Sequence, residues 1–84
     1  MGDKVNPKIT KEVMLQFELV RRSGAVNMGI MENVHNKAAE LGLKALSNLL
    51  AEDFQDHPYD VRNRTYIEIL RRRGFYLRKY KIVS

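Results

Sequence analysis

A small all-α bundle of three to four helices with a basic C-terminal tail is the fold this sequence predicts, on three observations. Apolar residues recur at helical spacing in three separate runs, and a glycine stands where the first two runs end. At 84 residues without cysteine, the chain must also build one packed domain with no disulfide to help it, close to the size at which a single core suffices. That size leaves dimerisation open as a further source of burial.

The first nine residues, with Pro7 among them, read as a flexible lead-in to a single domain over residues 10–84. Thr10 is a helix cap, and Glu12 sits near the positive end of the dipole that follows. Val13, Met14, Phe17 and Val20 then form one apolar stripe, and Gly24 supplies the left-handed residue that ends a helix, so the first helix is expected over 11–22.

Asn27 is the next candidate cap, with Met28, Met31, Val34, Ala38 and Leu41 on one face behind it. Gly42 stops that helix, and Leu43, Leu46, Leu49, Leu50 and Phe54 give the third run. Two helices joined through ELGL turn sharply and pack. Ala38 and Gly42 have the spacing of a DNA-reading helix-turn-helix, but Asn48 falls where that motif needs a buried apolar residue, so the match is partial. Met14, Met28 and Met31 lie on inward stripes and read as core filling rather than a partner groove.

Residues 61–74 carry two readings. As a helix, Tyr66, Ile69 and Leu70 share an arc, Arg64, Glu68 and Arg72 form an exposed ladder, and Gly74 ends it with Phe75 folding back on Leu70. As a strand, TYIEIL alternates and FYLRKYKIV supplies a hairpin partner, which would make a winged-helix-like α+β fold. The helix is preferred because its start and stop signals come in the right order.

The net charge of +5 is gathered at one end. Residues 1–55 hold seven cations and seven anions, whereas 56–84 hold eight cations against Asp56, Asp60 and Glu68, a balance of 8 − 3 = 5. Within that segment Arg71 to Lys81 packs six cations and three aromatics into eleven residues. Such segregation points to a polyanion, DNA or RNA, or to an acidic protein partner. The expected binding residues are Arg64, Arg71, Arg72, Arg73, Arg78, Lys79 and Lys81 for phosphates, with Tyr76 and Tyr80 as stacking platforms. Arginine and tyrosine also dominate protein interfaces, so an interaction module or an inhibitor of a host complex, for example a defence complex, is the alternative, and a strand-like tail pairing with its twin would give a homodimer.

No catalytic constellation is legible, and a non-enzyme without cofactor is expected. His35 has no second histidine at metal spacing, and His57 with Pro58, Asp56 and Asp60 reads as a turn. The glycines fit no phosphate loop, and the serines lack a nucleophile-elbow context. No run is apolar and long enough for a membrane span, and the start has no signal-peptide core, so a cytoplasmic protein is expected.

The run LVRRSGAVNM followed by AAELG resembles a family of short uncharacterised proteins of bacteria and their phages, in which a helix ends at Ser-Gly and Asn-Met opens the next. The matching residues are Ser23, Gly24, Asn27 and Met28, within a likeness covering about residues 13–51; it departs at Gly29, where the family commonly has an aromatic residue. The resemblance implies a small helical fold and a phage or prophage setting, in the host cytoplasm, and brings no catalytic residues with it.

Overall fold

Thr10 begins the first helix as its side chain predicts: its hydroxyl oxygen accepts the backbone N–H of Val13 at 3.2 Å. The computed structural model describes residues 5–24, 26–56 and 64–83, with side chains throughout except at 53–56 and 64. Among the described residues there are five helices and no strand: α1 Lys11–Ser23, α2 Met31–Glu40, α3 Lys44–Asp56, α4 Arg64–Arg71 and α5 Arg73–Lys79. The fold is a small helical bundle, and the hairpin alternative falls. His57, Pro58, Asp60 and Arg62 lie outside the described residues, as does the side chain of Phe54.

Gly24 ends α1 at φ 65°, in the left-handed region. Asn27 does not cap α2. Its side-chain oxygen instead accepts the N–H of Gly29 at 2.9 Å, closing a turn two residues ahead, and α2 starts only at Met31. A Cβ at Gly29 would stand 3.2 Å from that same oxygen, so the turn favours glycine there. At the other end of α2, Gly42 sits at φ 75°. The N–H of Leu43 bonds to the Ala38 carbonyl (2.8 Å) and that of Gly42 to Ala39 (3.1 Å), the paired closure of a Schellman stop. Leu41, expected on the inner face, is exposed.

No residue before α3 carries a capping side chain of its own. Gln16 of α1 fills the gap, its side-chain oxygen accepting the N–H of Leu46 at 2.9 Å. Between the helices lies one core, with Ile9, Met14, Phe17, Val20, Val34, Ala38, Leu46, Leu50, Ile69 and Tyr76 essentially without solvent exposure. Met14 and Met31 fill it, and Met28 packs against it while its carbonyl accepts the Tyr66 hydroxyl, tying the loop before α2 to α4. Asn48 is exposed, so α2 and α3 pack as a tight pair without the buried apolar residue that helix-turn-helix readers have at that point.

The expectations for the two ends of the chain need three corrections. Gly74 is not a stop: α4 ends at Arg71, Arg72 leaves helical geometry at φ −110°, ψ 20°, and α5 resumes at Arg73 with Gly74 in its first turn. The cause is tertiary, because ending the helix at residue 74 would leave Tyr76 and Leu77 outside the core that they join. Leu70 is exposed and Phe75 does not fold back on a stop, since the buried arc of α4 is centred on Thr65, Tyr66 and Ile69. Residues 5–9 belong to the domain: Ile9 is wholly buried and Val5 packs on the core.

Candidate functional site

On α5 the helical period divides the basic-aromatic stretch into an inner and an outer arc. Tyr76 and Leu77 are buried and Tyr80 is half-buried. Tyr76 donates its hydroxyl to Glu68 Oε2 (2.6 Å) and accepts the backbone N–H of Asn6 (3.0 Å). Burial, and then the bond to Glu68, raise its pKa. Tyr80 donates to the carbonyl of Ile9 at 2.7 Å, and its ring stacks on that of Tyr76 with centroids 6.0 Å apart. Phe75 meets Tyr76 edge-on at 5.1 Å.

These rings are therefore internal fasteners that hold the N-terminal segment. Asn6 adds a bond from its amide nitrogen to Glu68 Oε1 at 3.2 Å. Tyr76 is not a stacking platform, because no face of its ring reaches solvent.

Two of the expected phosphate ligands are already paired with carboxylates of the bundle. Arg72 donates to Glu68 Oε2 at 3.3 Å and lies over the Phe75 ring, 4.3 Å from its centroid. The Glu68–Arg72 rung of the expected ladder exists, half-buried rather than exposed; Arg64 opens α4, with its side chain outside the description. Beside this cluster runs an open cleft of about 380 Å³ lined by Val5, Asn6, Pro7, Glu68 and Arg72.

Arg73 reaches across to α1 and grips Glu18 with two bonds, Nε to Oε2 at 2.6 Å and Nη2 to Oε1 at 2.9 Å. The Arg73 guanidinium, against burial, holds the Glu18 carboxyl below the usual carboxylate range; the same bond raises the pKa of Arg73.

The remaining four, Arg71, Arg78, Lys79 and Lys81, are exposed and make no ion pair with a described residue. The guanidinium of Arg78 lies back over Gly74, 3.5 Å from where a Cβ would be. Lys81 follows α5 with a left-handed backbone (φ 57°), the C′ residue of a second Schellman stop closed by Ile82 N–H on the Leu77 carbonyl at 2.9 Å.

Sequence reasoning missed Glu18, Arg21 and Arg22. Glu18 lies four residues after Met14, on the edge of the buried arc, and a carboxylate placed there needs a partner. Arg21 shares Glu18 with Arg73, its Nε 3.1 Å from Oε1. Arg22 donates to the carbonyl of Val83 at 2.6 Å, which draws the end of the described chain onto α1. The cationic edge thus includes the C-terminal turn of α1, from residues 1–55, whose charges cancel.

His35 is half-buried beside Asn36, and no group of three metal-binding side chains occurs among the described residues. No described helix is long and apolar enough to cross a membrane. The class these features define is a small helical domain with a cationic edge along α5 and the end of α1. No family model, curated protein or solved structure matches the chain.

Proposed function

We propose that the chain is a small, non-enzymatic nucleic-acid-binding accessory protein that meets phosphates through the outer arc of α5 and the adjoining end of α4. The observation that carries this reading is the division of the basic segment: its aromatics pack against the core, Tyr76 buried and Phe75 and Tyr80 half-buried, while Arg71, Arg78, Lys79 and Lys81 stay exposed and unpaired among the described residues. Exposed cations without exposed rings favour the sugar-phosphate backbone over base stacking. The resemblance over residues 13–51 supports a phage or prophage setting in the host cytoplasm.

The test is a titration of a DNA duplex at several salt concentrations. Four phosphates neutralised at about −0.9 each give a slope of log affinity against log salt of roughly −3.6. Reversing the charge of the four residues should flatten it. A wild-type slope near zero would refute the reading.

A second reading, docking on an acidic protein, is favoured by Leu15 and Leu19, which are exposed one turn apart on α1 and one turn before Arg22. A protein partner recovered equally with and without nuclease treatment, and lost on reversing those four charges, would select it.

A further inference from the structure

Glu18 joins two arginines from two helices. Its side chain is only 3 % exposed, whereas those of Arg73 and Arg21 above it are 31 % and 41 % exposed. Arg21 Nε lies 3.1 Å and Arg73 Nη2 2.9 Å from the same carboxylate oxygen, so the two nitrogens are at most 6.0 Å apart, the sum of those distances.

A guanidinium carries five N–H donors. Arg21 uses one of them here and Arg73 two. The rest engage no described residue. The cluster's charge is +2 − 1 = +1, which a single phosphodiester monoanion balances. Both arginine heads are already bonded to Glu18, Arg73 by two donors and Arg21 by one, so an anion arriving from solvent finds planar forks whose ordering cost has been met in part by folding. Next to them, Arg22 holds Val83, two residues beyond Lys81, which joins the cluster to the exposed cations of the C-terminal segment.

We propose that Arg21 and Arg73, held by Glu18, form a preorganised seat for one backbone phosphate, with Glu18 as its positioning residue. For its natural ligand the seat rests on the nucleic-acid reading above; for its chemistry it does not. It differs from a diffuse basic patch in a way that experiment can separate. In a diffuse patch, charge alone counts, so Arg21→Lys is neutral and Glu18→Gln, which adds one positive charge, tightens binding. In the seat, fork geometry counts.

The experiment measures affinity of full-length wild type, Arg21→Lys and Glu18→Gln for a short DNA duplex at fixed salt, with thermal melts to establish that each is folded. Arg21→Lys is expected to weaken binding roughly fivefold at an unchanged salt slope, as loss of a planar fork implies. Glu18→Gln is expected to weaken it as well, despite the added charge. Tighter binding by Glu18→Gln, or no effect of Arg21→Lys, overturns the seat.

A second arm follows the arginine Nε–H resonances of the wild type during titration with inorganic phosphate against chloride at matched ionic strength. Those of Arg21 and Arg73 should move together and saturate. Uniform, unsaturated drift of all arginines overturns the seat; a saturable phosphate response without duplex binding keeps it and refutes the nucleic-acid reading instead.

Discussion

Removing Arg73 should destabilise the protein more than removing its partner Glu18. The Arg73→Met variant leaves the Glu18 carboxylate in place, nearly without solvent, with only the 3.1 Å bond from Arg21 to hold its charge. Two charge-assisted bonds disappear, and an under-compensated buried charge costs about 3–5 kcal/mol when the whole pair is buried. The guanidinium is about one-third exposed, so part of that pair was already hydrated, and about 2–4 kcal/mol is the working figure. Glu18→Gln keeps the shape and frees a guanidinium that can turn to water, at about 1–2 kcal/mol. Against a total of roughly 4–12 kcal/mol for a domain of this length, the first variant loses a large share.

Urea unfolding at pH 7 of both single variants and the double variant gives the order and the coupling, expected at about 1–3 kcal/mol. The pH dependence fixes the sign. Because the folded pKa of Glu18 is lowered, its contribution is complete above the unfolded carboxylate value near 4.3 and is lost as pH falls through the folded one. The gap between Arg73→Met and wild type should therefore narrow at pH 3. Equal effects of the two single variants at pH 7, combining additively in the double, would refute the pinning of α5 to α1 by this pair.

Lys81→Gly should raise stability by about 1 kcal/mol, since it relieves a left-handed backbone at an exposed site, and should at the same time weaken duplex binding by removing a cation. Chemical denaturation and the salt titration read the two opposite signs. Burial raises the Tyr66 hydroxyl to about 12, so the neutral form's contribution holds below the unfolded value near 10 and is lost between there and 12. Up to about 2–3 kcal/mol should go over that window. Melts from pH 8 upward should show it, and Tyr66→Phe should flatten the fall while costing about 1 kcal/mol at neutral pH for the lost bond to the Met28 carbonyl.

Where one residue has one physical use, the sequence was readable. The Thr10 cap, the left-handed Gly24 and Gly42, and the Leu46–Leu49–Leu50 stripe behave as their chemistry requires. Asn27 and Gly74 were not readable locally, because each supports two conformations of similar energy. An asparagine closes a turn as readily as it caps a helix, and a glycine sits inside a helix at a cost of about 1 kcal/mol that a buried tyrosine easily outweighs. The Glu18–Arg73 pair left half a signal: the spacing from Met14 puts a carboxylate on the inner arc, but its partner stands 55 positions away and is brought near only by the docking of α5.

The helix-or-strand question at the C-terminus therefore also decided the chemistry of the surface. On a strand, Tyr76, Arg78 and Tyr80 would alternate onto one face, rings and cation side by side, as base stacking requires. On a helix, Tyr76 and Tyr80 fall four apart on the inner arc, stack on each other, and use their hydroxyls to hold Asn6 and Ile9, while Arg78 and Lys79 turn out. The same eleven residues thus present exposed charge, with Tyr76 buried and Phe75 and Tyr80 half-buried against the core. Backbone phosphates, whose recognition needs only charge and geometry, are the part of a nucleic acid that such a surface is equipped to meet.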